Sequence, residues 1–347
     1  MTFNITVEPS ARTFTTDSGE AILAGAIRQG VSMPYGCKDG ACGSCKCKKL
    51  SGSVMHGDHQ SKALSAQEEA DGFILTCCAV AQSDVVLESK QVTAADALPI
   101  KRMPVRVTSL TKVNDDVALL RLQLPANDTF KYHAGQYIEF LLREGDRRSY
   151  SMANAPHTQT DSPGLDLHIR HMPGGKFTDH VFGVMKDKDI LRVEGPFGSF
   201  YLREDSDKPM VFVASGTGFA PIKALLEDMA FKGITRPTTV YWGGRQPSDL
   251  YLHDWMQAQA DASSHITYVP VVSNATPTDH WTGRTGFVHQ AVLDDFADLS
   301  LHHIYACGAP VVVESAQRDF VQLRGLPSDA FFADSFTSEA DKATSPL

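Results

Sequence analysis

The stretch "YGCKDGACGSCKC", residues 35–47, places Cys37, Cys42, Cys45 and Cys47 within eleven positions of a glycine-rich segment. So dense a set of thiols serves a disulfide staple, a zinc site or an iron–sulfur cluster. The chain holds seven cysteines, and an odd number speaks against a disulfide framework. Residues 1–20 carry no basic stretch followed by an apolar one, so no secretory signal is expected. No apolar run approaches the roughly 20 residues that span a bilayer. The expected compartment is therefore the cytoplasm, where thiols stay reduced.

Cys37, Cys42 and Cys45 are spaced C-x4-C-x2-C. This is the plant-type [2Fe–2S] spacing, which needs a fourth cysteine far downstream. "FILTCCAVAQSD", residues 73–84, supplies Cys77 and Cys78. Four soft thiolates hold two irons, and the loop must wrap them closely with backbone N–H groups aimed at sulfur. Gly36, Gly40 and Gly43 provide the backbone freedom for that approach. Zinc is the rival, but structural zinc sites favour two short C-x2-C pairs. A Rieske cluster needs two histidine ligands, and the chain has no Cys-x-His pair.

This loop resembles that of chloroplast-type ferredoxins. The resemblance implies that the fourth ligand follows "L-T", which selects Cys77, with Ser83 and Asp84 a few residues on. Cys37, Cys42, Cys45 and Cys77 are then the metal ligands. Cys47 leads into a strand and reads as a small buried hydrophobe. His56 and His59 read as part of an exposed polar loop. Around the loop, "FNITVEP" and "RTFTTD" alternate as a hairpin, and "GEAILAGAIRQG" reads as a short helix ending at Gly30. A β-grasp ferredoxin domain over residues 1–91 is expected, followed by a linker over 91–103.

A length of 347 residues fits two or three domains at roughly 150 residues each. A net charge of −9, with no basic stripe, argues against nucleic acid as a partner. It suits solubility, or an acidic face meeting a basic patch on a protein.

Six strand-like runs between residues 104 and 202 suggest an antiparallel β-barrel. Within them lie Arg148-Ser149-Tyr150-Ser151 and "PGGKFT", residues 173–178. An arginine can clamp a pyrophosphate, and Gly-Gly before a helix can present N–H groups to phosphate. In the C-terminal third, "MVFVASGTGFAP" reads as a buried strand, a Gly216-Thr217-Gly218 turn and a helix. Further strands, among them "TTVYWGG" and "HIYACGAP", alternate with helices and predict a doubly wound parallel sheet.

In this order, these motifs resemble the ferredoxin–NADP reductase superfamily. The resemblance implies an FAD-binding barrel over 102–204 and an NAD(P)-binding domain over 207–340. Arg148 is expected on the flavin diphosphate, Tyr150 against the flavin ring and Ser151 near flavin N5. Gly174, Gly175 and Thr178 are expected at the phosphates, and Gly216, Thr217 and Gly218 with Pro221 at the nicotinamide dinucleotide. Cys307 and Gly308 are expected beside the nicotinamide ring, and Phe336 beside the flavin. Tyr150, Ser151 and Cys307 form the expected catalytic set. Arg245 could meet a 2′-phosphate, but Ser273-Asn274 stands where NADPH-dependent members carry Ser-Arg, which favours NADH over NADPH.

The whole layout is similar to the reductase components of multicomponent bacterial oxygenases, and to CDP-6-deoxy-glucoseen reductases. It implies electron transfer from NADH through FAD and a [2Fe–2S] cluster to a partner oxygenase. The alternatives are the same chain of cofactors serving a deoxysugar dehydratase, or a non-enzymatic zinc or redox-sensor protein.

Overall fold

The computed structural model describes residues 1–92, 97–126, 129–143, 145–159 and 163–337. Two compact bodies emerge: residues 1–99 with the C-terminal segment from Asp334, and Ile100–Ala333.

In the first body, β1 (Thr2–Glu8) and β2 (Arg12–Asp17) form an antiparallel hairpin with Ile5 opposite Phe14. Alternation sends Ile5, Val7 and Phe14 inward, where they meet Ile22, Leu23 and Ala26 of α1 (Ile22–Arg28) at the core. The remaining elements are β3 (Lys46–Ser51), β4 (Val54–His56), α2 (Ala66–Ala70), β5 (Phe73–Leu75), β6 (Ala79–Ala81) and β7 (Val85–Glu88). The main sheet runs β2-β1-β7-β3-β5, with β7 parallel to β1 and the other pairs antiparallel, while β4 and β6 form a separate ribbon. A mixed sheet crossed by one helix is the β-grasp arrangement. The cysteine loop joins α1 to β3, and Cys77 and Cys78 fall between β5 and β6.

The second body opens on β8 (Lys101–Lys112), so the strand begins inside the stretch expected as linker, where Lys101 pairs with Gly195. Residues 93–96 of that stretch lie outside the described residues. Strands β9 (Val117–Gln123), β10 (Tyr137–Leu141), β11 (Arg147–Ser151), β12 (Gly164–Arg170) and β13 (Ile190–Phe197) complete a six-stranded antiparallel sheet of order β11-β10-β13-β8-β9-β12. An antiparallel bridge between Met152 and Leu167 joins its two ends into a barrel. Val105, Val107, Leu120, Leu122, Ile138, Phe140, Leu165 and Leu167 fill the interior. Helix α3 (Lys176–Gly183) caps it through Phe177 and Val181.

The last layer has β14 (Met210–Ser215), α4 (Phe219–Lys232), β15 (Thr238–Gly244), α5 (His253–Asp261), β16 (Ile266–Val272), β17 (Arg284–Thr285), α6 (Val288–Asp295), β18 (His303–Gly308), α7 (Pro310–Arg324) and β19 (Phe331–Ser335). The sheet order is β17-β16-β15-β14-β18-β19, and β14 to β18 pair in parallel. Met210 to Ala214 and all of β18 are buried, as strands covered on both faces must be. The order reverses between β14 and β18. In open parallel sheets ligands bind outside the carboxyl ends of the strands at such a switch point, and Gly216 and Cys307 stand at those ends.

Candidate functional site

The cysteine loop gathers its thiols in twos. Cys45 Sγ lies 3.2 Å from Cys77 Sγ. Cys37 and Cys42 form the other pair: the Cys37 N–H donates to Cys42 Sγ at 3.4 Å, and the Ser44 hydroxyl lies 3.4 Å from the same sulfur. A hydrogen bond from the Cys37 thiol holds the Cys42 thiol down, to about 6. The same bond, with burial, pushes Cys37 up. Among the described residues, no three His, Cys, Asp or Glu side chains gather as ligands of one ion. Two pairs of thiols suit a two-iron cluster, which takes four cysteines in all. The donor set is soft sulfur, with backbone and hydroxyl groups at hydrogen-bond distance, and it fits a [2Fe–2S] cluster.

Cys78 touches Cys77 but also leans on the loop backbone. Its sulfur is 3.5 Å from Cys77 Sγ and packs over Gly40. A Cβ on Gly40 would come within 2.7 Å of Cys78 Sγ and 2.9 Å of His59 Cβ, and Gly40 has φ +77°. Glycine is therefore demanded there twice over, by space and by backbone. Cys47 is buried in β3 opposite Ile74, and burial pushes its thiol up. His56 departs from the exposed-loop expectation. It ends β4, its side chain is only 9% exposed, and its Nδ1 meets Glu69 Oε1 at 2.7 Å. The acidic first turn of α2, set by the Ser65–Glu68 capping box, draws it in.

In the barrel, Arg148, Tyr150 and Ser151 share β11. Ser151 is buried. Tyr150 packs edge-on to Phe140 and 5.3 Å from Phe177, and burial pushes its phenol up. The Asp146 carboxylate lies 3.0 Å from Lys176 Nζ and 3.9 Å from Arg148, so two cations face one anion at the mouth of the Gly174-Gly175 turn. That charge pattern fits a diphosphate. Gly175 caps α3; a Cβ there would come within 2.7 Å of Thr178 Oγ1. Thr178 donates its hydroxyl to Met172 O at 2.8 Å, shaping the turn, while the Gly174 N–H is taken by Asp179 at 3.1 Å.

At the switch point, Gly216-Thr217-Gly218 forms a single 3-10 turn before α4. Pro221 sits in the first turn of α4, where it forfeits no helical hydrogen bond. A Cβ on Gly218 would run into the Cys307 carbonyl and come 2.8 Å from Gly308 Cα. The two glycine motifs therefore touch through backbone alone. The Ala309 N–H donates to Ser215 Oγ at 2.8 Å, tying them further. Cys307 is buried. Trp242 donates to Gly216 O at 3.0 Å and stacks on Phe219 at 3.8 Å, bracing the turn from behind. Arg245 is exposed after β15, with its N–H donated to Asp249 at 2.7 Å; its carbonyl accepts from the Asn274 N–H at 2.8 Å, so the two residues weighed for the ribose end are neighbours. Phe336 is half-buried in the segment grouped with residues 1–99.

Three residues escaped the motif reading. Arg170 reaches the turn, its guanidinium 3.0 Å from where a Gly216 Cβ would stand, and pairs with Asp116 at 2.8 Å. His168 and Tyr251 share a hydrogen bond of 2.8 Å. The available signal was the period of β12: Leu165, Leu167 and Ile169 fill the barrel, so Asp166, His168 and Arg170 face outward. A buried histidine on an outward face means that another layer covers it.

Family models match in the same order along the chain: a 2Fe-2S iron-sulfur cluster binding domain over residues 5–82, an oxidoreductase FAD-binding domain over 104–201 and an oxidoreductase NAD-binding domain over 212–318. The chain is 40% identical over 336 residues to a CDP-6-deoxy-L-threo-D-glycero-4-hexulose-3-dehydrase reductase of Yersinia pseudotuberculosis, covering 97% of this chain and 99% of the relative. It is 36% identical over 350 residues to the terephthalate 1,2-dioxygenase reductase component 1 of Comamonas sp, covering 100% and 99%. Among solved structures, the Amycolatopsis cytochrome P450 reductase GcoB is similar with TM-score 0.77 at 30% identity, covering 97% of this chain and 99% of that one. No helix among the described residues is long and apolar enough to cross a membrane.

Proposed function

The chain belongs to the family of oxidoreductases that join a [2Fe–2S] domain to FAD- and NAD-binding domains, and on that premise we propose that it carries electrons from NADH to a partner oxygenase in the cytoplasm. The observation that carries this reading is the order of three cofactor-binding domains in one chain, each with its own residues in a fitting arrangement. The domain bounds proposed are 1–91, 102–204 and 207–340, the last few of which lie outside the described residues.

When bound, the flavin supplies two-electron chemistry toward nicotinamide and one-electron chemistry toward the cluster. The chain's own residues bind and orient. Cys37 with Cys42, and Cys45 with Cys77, are the proposed ligand pairs. The 3.2 Å approach of Cys77 to Cys45 supports Cys77 over Cys78. Arg148 and Lys176 hold the FAD diphosphate, trading Asp146 for it, with the Gly174-Gly175 turn and Thr178 alongside. Tyr150 backs the flavin ring and Ser151 presents its hydroxyl near N5. The N–H groups of Gly216-Thr217-Gly218, at the start of α4, receive the dinucleotide pyrophosphate. Cys307 lines the nicotinamide end, with Gly308 allowing the approach. No strong general base is needed. Arg245 is the candidate for a 2′-phosphate, and Asn274 in place of arginine favours NADH.

The 40% identity to a hexulose dehydrase reductase supports a second reading, in which the acceptor is a deoxysugar dehydratase. The test is an anaerobic titration of the purified protein with NADH and then NADPH, followed by visible absorption. Bleaching of both the flavin and thiolate–iron bands by NADH is expected. A protein without flavin, or an iron band indifferent to nucleotide, refutes the reading. Turnover with a purified dioxygenase or with a dehydratase then separates the two acceptors.

A further inference from the structure

Five residues form a continuous line through the second body. Ser151 is followed by Met152, whose Cα pairs with Leu167 in the bridge that closes the barrel. Leu167 is followed by His168, buried on the outward face of β12. The His168 Nδ1 and the Tyr251 hydroxyl share a 2.8 Å hydrogen bond, with the rings edge to face at 5.4 Å. Tyr251 stands edge-on to Trp242 at 5.2 Å, and Trp242 donates to Gly216 O at 3.0 Å, in the turn whose Gly218 packs on the Cys307 carbonyl.

The neighbouring contacts reinforce this line. Asn114 donates to Ser248 O at 2.9 Å, and Arg170 approaches Asp249 at 3.8 Å. The segment from Arg245 to Tyr251 is thus gripped from the barrel at three points. The His168–Tyr251 pair continues through Trp242 to the Gly216 turn.

We propose that His168 and Tyr251 are positioning residues that set the gap between the Ser151 end of the flavin site and the Cys307 end of the nicotinamide site. This rests on the roles given above to Ser151 and Cys307. Burial keeps His168 neutral, its pKa brought down to about 3, so the contact is a dipolar hydrogen bond throughout the working pH range. Neither residue exchanges a proton with substrate. Their effect is on the distance and angle of approach, to which transfer between two held groups is steeply sensitive.

The test uses the full chain loaded with FAD and cluster. Tyr251→Phe removes one oxygen and keeps the ring, and His168→Phe removes the other partner. Anaerobic stopped-flow reduction by NADH gives a limiting rate and a dissociation constant for each, together with the intensity of the long-wavelength band of the nicotinamide–flavin complex. Both single variants should lose about tenfold in limiting rate and weaken that band, with FAD content and the dissociation constant within twofold of the parent. The double variant should lose no more than either single one. His168→Gln, which can still bond the hydroxyl, should recover most of the rate.

Variants reduced within twofold of the parent rate, or losses that multiply in the double variant, overturn the proposal. Should His168→Phe fold poorly, Tyr251→Phe and His168→Gln decide alone. A parent protein that NADH does not reduce refutes the proposed function itself, whereas a normal parent with unaffected variants refutes only the positioning role.

Discussion

Gly40→Ala probes the packing of Cys78 against the cysteine loop. Two penalties are separable there. The φ of +77° costs an L-residue about 1 kcal/mol or a little more. The new methyl also meets Cys78 Sγ at 2.7 Å, His59 Cβ at 2.9 Å and the Asp58 carbonyl at 3.1 Å. Overpacking of this kind costs about 1–3 kcal/mol. The sum, about 2–4 kcal/mol, is a large share of the total stability of a domain this size. Heating the iron-loaded protein and following the visible thiolate–iron band gives the readout. The temperature of loss should fall by about 10 °C or more, at about 4–8 °C per kcal/mol for a domain of this size. Adding Cys78→Ala removes the closest clash and should restore part of the loss, leaving the backbone penalty. A Gly40→Ala protein as stable as the parent, or a double variant no better than the single one, would refute the packing of Cys78 over Gly40.

Further outcomes follow from the same geometry. Cys77→Ser should lose iron and the visible band while NADH still reduces the bound flavin; Cys78→Ser should retain both, and the reverse pattern would exchange the two assignments. Ser151→Ala should keep FAD but slow its reduction by NADH several-fold in anaerobic stopped flow, and an unchanged rate would remove its proposed role near N5. Thermal stability of the Ile100–Ala333 body should decline as pH falls below 6.5. His168 and His303 are held neutral by burial, at about 3 and about 4, and both take up a proton on unfolding. With folded pKa values below the unfolded one, their contribution is complete above about pH 6.5 and is lost as pH drops toward 4, at up to about 1.4 kcal/mol per unit for each. His168→Gln should flatten that slope by about one proton in differential unfolding at several pH values.

How much could be read without coordinates varies by region. The cysteine loop declared itself because thiolate spacing is a one-dimensional code: ligands a few residues apart must reach one object, whatever the fold around them. The Gly216-Thr217-Gly218 turn and the Cys307-Gly308 end were legible for a similar reason, since a strand followed by glycines and a helix specifies its own local path. The burial of His56 has no local signal, because it comes from Glu69, thirteen positions away on another element. The first three residues of β8, Lys101 to Met103, carry no local strand signal because their partners, such as Gly195, lie far along the chain.

The sequence alone thus determined the cluster class, through cysteine spacing that ligand chemistry fixes within a few residues, and the local path of the glycine turns. The flavin and nicotinamide cofactors and their order came from the family resemblance of the ordered motifs. Only the tertiary structure decided what crosses between elements: the seating of Cys78 over Gly40, the reach of Arg170 to the Gly216 turn and the bond between His168 and Tyr251. Those contacts join residues up to eighty-three positions apart. A hydrogen bond that depends on two layers meeting leaves no periodic or spacing signal in either segment, so it becomes visible only when the layers are packed.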